Sequence, residues 1–264
     1  MHSKKASPEM KAACALMALG LVSASPAEQI PVRHLQQPMQ RWMVARSETR
    51  QTLARVEFSQ STKGDEVTMR MIFHFGDGSI DDETTTYRQQ GVFQLVRDQH
   101  IERGPFFARP VDFTVNAATG ELTSRSAEAN GGSSVETRHM DLPKDVANGF
   151  VGTLLLNVPP HTAPFRVEMV APVGGGRLVQ LLISPDSEQA FQMDGQRRRA
   201  MVFRIHPVLG GLVGILARLL GLQPKDVMVW IEEGAEPAVV RIVGQLGGSG
   251  PVVISDLDGA SFAR

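Results

Sequence analysis

Alternation of apolar and polar residues is the feature of this sequence that most limits what it can fold into. Residues 66–75 read EVTMRMIFHF, with an apolar side chain at every second position from Val67 to Phe75. Successive side chains of a β-strand point to opposite faces of the sheet. A period of two therefore predicts a strand with one buried face.

The same pattern recurs along the chain between short polar or glycine-containing stretches. Gly76, Asp77 and Gly78 predict one turn, and Asp194 with Gly195 predicts a hairpin. Short connections between strands are typical of antiparallel sheets. We predict a mainly β (α+β) fold, with a curved antiparallel meander sheet and one or two helices packed on its concave face. The predicted strands are 52–59, 66–75, 79–88, 92–101, 111–116, 121–126, 135–139, 165–170, 177–184, 190–193, 199–206, 227–232, 238–243 and 252–255.

Residues 141–157 break the β pattern. Their apolar side chains, from Val146 to Leu155, recur at helical spacing. Asp141 suits the cap of a helix and Pro143 suits its first turn. We predict an amphipathic helix packed on the sheet.

A second exception, residues 207–222, reads PVLGGLVGILARLLGL and is the most apolar stretch after the amino terminus. Its glycines, its arginine and its length make it a poor membrane span, which needs roughly 20 apolar residues. One interpretation is a short helix buried in the concavity of the sheet. The other is a mobile flap over a hydrophobic ligand site, or a surface that touches lipid. In that case the apolar ligand would contact Leu209, Leu212, Val213, Leu216 and Leu219.

The amino terminus has the three parts of a secretory signal peptide. Basic residues precede the apolar run AACALMALGLVSA at 12–24, and small residues then permit cleavage after Ala24 or Ala27. Cys14 precedes most of the apolar run, whereas a lipoprotein needs its cysteine just after it. We predict a signal peptide at 1–27 and one β domain at 28–264 in a periplasmic or secreted protein, without a transmembrane span after processing.

Composition excludes several functions. Cys14 is the only cysteine, so the processed chain has no disulfide, thiolate nucleophile or cysteine zinc site. Removal of residues 1–24 takes three of the 27 basic and one of the 28 acidic residues, which leaves a net charge of about −3. Without a basic field, the chain is not expected to bind nucleic acid.

Catalytic motifs are missing from the sequence. It contains neither G-x-S-x-G nor H-E-x-x-H. His100 and Glu102 form an H-x-E, but the zinc deaminases also need cysteines, so we expect a strand-end histidine with local hydrogen bonds. No catalytic residue and no cofactor are predicted.

A candidate metal site lies in an acidic turn. Asp77, Ser79 and Asp81 alternate and could offer oxygen ligands to calcium. The glycine and distal glutamate of a twelve-residue calcium loop are not in register. A hairpin turn with a solvated edge is the preferred interpretation.

Several longer segments carry a resemblance. The sequences DGSIDDETT at 77–85, QGVFQLVRDQHIERGPFF at 90–107, DFTVNAATGELTSR at 112–125, HMDLPKDVANGF at 139–150 and PKDVMVWIEEGAEPAVVR at 224–241 resemble a family of uncharacterised exported bacterial proteins of the acidobacterial and proteobacterial type. The resemblance implies no activity. In overall pattern the chain is similar to periplasmic lipoprotein-carrier folds, a likeness of architecture that does not fix function.

These observations leave three classes of function. A non-catalytic exported protein that binds or carries a hydrophobic ligand such as lipid fits best, because a curved sheet with a glycine-rich apolar segment offers a concave apolar site. A cell-envelope structural or protein-interaction module is the alternative, since exposed strand edges accept partner strands. An enzyme of unknown type is the third option.

Overall fold

The computed structural model describes residues 29–127, 132–208, 224–246 and 250–262. Across these ranges, 15 strands join into one antiparallel sheet that does not close on itself. The strands are β1 (Met39–Ser47), β2 (Thr52–Lys63), β3 (Glu66–Phe75), β4 (Ile80–Gln90), β5 (Val92–Arg103), β6 (Val111–Asn116), β7 (Glu121–Ala127), β8 (Ser133–His139), β9 (Phe165–Ala171), β10 (Arg177–Met193), β11 (Gln196–Val208), β12 (Val227–Glu232), β13 (Ala238–Gln245), β14 (Val252–Leu257) and β15 (Ala260–Phe262).

The strand order confirms the predicted meander. It runs β15-β10-β11-β12-β13-β14-β1, and from there consecutively to β8, with β9 paired to β10. Asp194 and Gly195 form the predicted hairpin between β10 and β11, with φ of 53° and 73°. Positive φ at both central residues is what a tight two-residue turn requires.

The differences from the predicted strands concern β1, β10 and the short β15, which was not predicted. Residues 177–184 and 190–193 belong to a single strand, β10, whose pairing register shifts between Pro185 and Ser187. β1 was not predicted, yet it lies between β14 and β2 and joins the two ends of the meander.

The predicted helix at 141–157 is wrong for most of its length. Only Val151–Leu155 is α-helical (α1), after a 3-10 turn at Asn148–Phe150. Val146 instead forms a β-bridge to Glu168. Asn148 has a φ of 39°, which a right-handed helix cannot contain. The predicted cap at Asp141 therefore starts no helix.

The core lies against the inner face of the sheet. In β3, Val67, Met69, Phe73 and Phe75 are buried while Arg70 and His74 are exposed, so the strand has one buried face as predicted. The short helix and its preceding turn fill the concave side with three buried side chains, and the ring of one of them stacks on Tyr87 at 4.9 Å. These side chains are Phe150, Leu154 and Leu155.

Two of the predicted segments fall outside the described residues. These are the signal peptide at 1–27, with its cleavage after Ala24 or Ala27, and nearly all of the apolar stretch at 207–222, including Leu209, Leu212, Val213, Leu216 and Leu219. Both stay predictions, as does the extent of the single domain. Among the described helices, none combines the length and the apolar character that crossing a membrane requires.

Candidate functional site: an apolar cavity beside a buried acidic cluster

An apolar cavity of about 120 Å³ lies inside the sheet. β1, β2, β3 and β13 form its walls, and the turn and helix at 148–155 close one side. The two largest core clusters meet there, since Ile242 packs against both. The apolar lining residues are Met39, Met43, Phe58, Met69, Met71, Leu156, Pro237, Ala238, Val239, Ile242 and Leu257.

Methionines and glycines give this cavity an adaptable wall. Four methionines line it, and their unbranched thioether side chains change conformation at low cost. Gly149 and Gly152 supply backbone without side chains. A Cβ atom on Gly152 would meet only Val239, at 3.7 Å, which is ordinary contact. A methyl group at position 152 would therefore meet no steric conflict.

The cavity adjoins an open polar cleft of about 590 Å³. Arg41, Ala238 and Leu257 line both spaces. Arg41 is half-buried and forms no ion pair within the described part of the chain. Residues Glu232 and Arg198 of the cleft bind one another at 2.9 Å. The apolar space thus borders a charged opening.

A buried acidic cluster lies on the neighbouring strands β4 and β5. Their antiparallel register sets Asp81 opposite Glu102 and Glu83 opposite His100. His100 Nε2 lies 2.9 Å from Asp81 Oδ1 and 3.7 Å from Glu102 Oε1. One imidazole therefore lies among several carboxyl groups on the inner side of the sheet.

Hydrogen bonds fix the position of a further carboxylate, Asp98. Thr85 Oγ1 donates to its Oδ1 at 2.6 Å, and Asn148 Nδ2 donates to its Oδ2 at 3.1 Å. Asn148 also bonds to the backbone N–H and carbonyl of Val170. This buried asparagine joins the turn at 148–150, β5 and β9, which explains why its strained backbone is tolerated.

Burial and mutual repulsion shift the protonation of the cluster. Burial, together with the negative charge of Asp98, raises the pKa of Glu83 to about 8. The positive charge of His100 acts in the opposite direction and lowers this pKa. Burial also raises the pKa of Asp98 and that of Glu102. For His100, burial acts to lower the pKa, but the hydrogen bond to Asp81 and the charges of Glu83, Asp81 and Glu102 outweigh it and raise the pKa to about 10.

Glu102 differs from Asp98 in its partners. Glu102 is 4% exposed, and its Oε1 is a buried atom without a hydrogen-bond partner in the described residues. Burial of an unpaired carboxylate oxygen costs more free energy than burial of an unpaired neutral oxygen. The carboxylate loses the water that would otherwise solvate its charge. The nearest ligand-type atoms belong to Asp81 and His100, all within 4.8 Å of one another.

The cavity and the cluster share a wall. Met71, which lines the cavity, is the direct cross-strand partner of Glu83. Gly149 also lines the cavity, and a Cβ atom there would lie 2.8 Å from Glu83 Cδ. The turn at 148–150 and the pairing of β3 with β4 therefore connect the cavity to the acidic cluster.

The residues predicted for calcium have separate roles in the turn and the cluster. Asp77 Oδ1 accepts a bond from the Ser79 backbone N–H at 2.9 Å, and the buried Ser79 Oγ accepts one from the Phe106 backbone N–H at 2.9 Å. Asp81 instead contacts His100. A calcium ion held by Asp77, Ser79 and Asp81 stays a prediction.

Sequence reasoning missed Asp98 as a member of a polar cluster, and it did not bring the acidic turn together with His100. A signal for this cluster exists, because Asp81 and Glu83 on β4 and Asp98, His100 and Glu102 on β5 follow the period of two that places side chains on one face.

The fold and cavity define a class: a mainly β protein whose single open antiparallel sheet surrounds apolar space. No family model matches the chain, and no curated protein matches its sequence. The fold is similar to the crystal structure of a β-barrel-like protein of the domain of unknown function DUF1849 from Brucella abortus, with a TM-score of 0.45 and 9% identity over 88% of this chain and 100% of that chain.

Proposed function

We propose that this protein is a non-catalytic binder or carrier of a hydrophobic ligand such as a lipid, held in the methionine-lined cavity. The observation that carries the proposal is the mainly apolar space of about 120 Å³ between the sheet and the short helix. An apolar ligand group that enters this space would remove its own surface and that of the lining side chains from water, which stabilises the complex by about 25 cal/mol per Å² of apolar surface buried.

The size of the cavity suits a small apolar group or one end of an acyl chain. An engineered apolar cavity of roughly 150 Å³ accepts benzene. The four methionines allow the space to lengthen when a longer chain enters. The adjoining cleft with Arg41 favours an amphiphile, whose polar head stays at the charged opening.

The proposed place of action is the periplasm or the extracellular space. The support is the basic, apolar and small-residue order of residues 1–27. Amino-terminal sequencing of the exported protein should begin at Ser25 or Glu28. A retained Met1 in a periplasmic fraction would contradict export by cleavage.

An interaction module is the second candidate, and the edge strand β8 favours it. β8 ends the described sheet, and all of its residues are exposed, with Val135 at 57%. A free strand edge can pair with a strand of a partner. β8 also carries Glu136, Arg138 and His139, charged or titratable residues of the kind that limit such pairing.

Extraction of copurified lipid tests the carrier proposal. The protein is purified without detergent, weighed by native mass spectrometry, and its organic extract is compared with that of a cysteine-free control protein from the same host. We expect an added mass that denaturation releases and that the extract identifies as an amphiphile. A wild-type protein with no added mass that also binds no apolar fluorescent probe would overturn the proposal and favour the interaction module.

A further inference from the structure

The acidic cluster contains four carboxyl groups and one imidazole. Asp81, Glu83, Asp98 and Glu102 surround His100, and none of these carboxylates forms an ion pair with lysine or arginine in the described ranges. Buried charges in proteins are normally paired with an opposite charge or bound to a metal. A single imidazole can balance only one of these carboxylates, so the others must either be protonated, as the raised pKa of Glu83 indicates for that group, or be held by a further cation.

The geometry at His100 is close to that of a metal site. Its Nε2 lies 2.9 Å from Asp81 Oδ1 and 3.7 Å from Glu102 Oε1. Ligand atoms held at about 2.0 to 2.2 Å from one ion are separated from one another by roughly 3 to 4 Å. Small side-chain rotations would therefore bring the three atoms onto a common centre.

The unpartnered oxygen of Glu102 is an independent sign of a missing ligand. Glu102 is 4% exposed, and no hydrogen-bond donor of the described chain satisfies its Oε1. The Asp98 oxygens, a few residues away on the same strand, each have a donor. The strand thus satisfies one buried carboxylate with side-chain donors and leaves the other directed at Asp81 and His100.

We propose that Asp81, His100 and Glu102 bind a divalent transition-metal ion. One imidazole nitrogen with carboxylate oxygens and no thiolate suits Zn²⁺ or Mn²⁺ better than the soft ions that prefer sulfur. The ion links the two strands behind the wall of the cavity.

This site differs from the acidic turn at Asp77 and Ser79. Those two residues form hydrogen bonds within the turn and with Phe106. Metal binding at this site also does not require an apolar ligand, because the cluster residues do not line the cavity. Metal binding and ligand binding can therefore fail separately.

The test measures metal binding to the full processed chain after treatment with a chelator and removal of that chelator. Mn²⁺ is followed by the loss of the free-ion signal in electron paramagnetic resonance, and Zn²⁺ by competition with a chromophoric indicator. We expect one tight ion per chain and a rise in the melting temperature. Glu102→Gln, which keeps the shape of the side chain, should weaken binding by at least about tenfold.

Asp82→Asn is the matched control. Asp82 lies next to the cluster on β4 but is bound to Arg70 on the other face of the strand. The Asp82→Asn variant should bind metal as the wild type does. His100→Gln serves as a second test if Glu102→Gln does not fold. The proposal is overturned if the folded wild type binds neither ion at millimolar concentration, or if Asp82→Asn and Glu102→Gln weaken binding equally.

Discussion

Gly149 packs its backbone directly against Glu83, so that a Cβ atom at this position would lie 2.8 Å from Glu83 Cδ and closer still to the Thr85 hydroxyl. This approach lets the turn at 148–150 cover the acidic cluster on one side and the cavity on the other. Gly149 and Gly152 of this segment therefore differ in their tolerance of a side chain, because a Cβ atom on Gly152 would contact only Val239.

The first prediction compares those glycines. Gly149→Ala should lower the free energy of unfolding by about 1 to 3 kcal/mol, because the added methyl group has no room against β4. Gly152→Ala should be neutral or stabilising by up to about 1 kcal/mol, since alanine favours helix and the space is free. Urea melts of both variants measure this. Equal losses of unfolding free energy in the two variants would show that Gly149 is not closely packed against Glu83.

The second prediction concerns pH. The pKa of Glu83 is raised from 4.5 to about 8, so the folded protein holds this proton more tightly than the unfolded chain. The stability that this proton provides is complete below pH 4.5 and is lost as pH rises towards 8. In chelator-treated protein, Glu83→Gln should flatten the fall in unfolding free energy over this interval.

The exposed Glu48 provides the control for that experiment. Glu48→Gln should keep the pH dependence of the wild type, as followed by urea melts at several pH values. A wild type whose stability is constant or rises over the interval would show that Glu83 ionises freely in the folded protein.

The third prediction concerns the buried face of β3. Phe73 is buried, whereas the neighbouring His74 is exposed and lies 3.7 Å from Glu57. Phe73→Ala should cost about 3 to 5 kcal/mol and His74→Ala little. Comparable losses in urea melts would mean that both faces of the strand are buried.

The strands that could be predicted are those whose two faces differ clearly in polarity. The period of two in β3 predicts its bounds, Glu66–Phe75, because its inner side chains are apolar and its outer ones largely polar. β1 was not predicted because its two faces do not differ clearly in polarity. The apolar Trp42 and Val44 lie on one face, and the charged, half-buried Arg41 lies on the other. Its outer Trp42 is instead covered by the Arg55 guanidinium, 4.3 Å from the ring centroid.

The segment at 141–157 shows why periodicity can mislead. Its apolar residues follow helical spacing, but Val146 belongs to a β-bridge and Phe150 to a 3-10 turn. What stops the helix is the buried Asn148, whose bonds to Asp98 and Val170 connect distant parts of the chain. No local pattern contains those contacts.

The two candidate sites depend on information that a single strand does not hold. The cluster needs the register that sets Glu83 opposite His100, and that register includes a shift between Thr86 and Tyr87. The cavity is the space that packing leaves unfilled between strands far apart in the chain. The alternating acids could have been recognised, but the distances between them could not.

The most direct test of the ligand-binding account fills the cavity from its glycine side. Gly152→Leu places an apolar side chain in the space beside Val239, and Gly76→Leu makes the same change where no atom lies within 4 Å. Both proteins are titrated with a fluorescent fatty acid after removal of copurified lipid, and their melting temperatures are compared. We expect Gly152→Leu to stay folded and lose binding by at least about tenfold, which is about 1.4 kcal/mol, while Gly76→Leu binds as the wild type does. Equal affinity in the two folded variants would contradict the account.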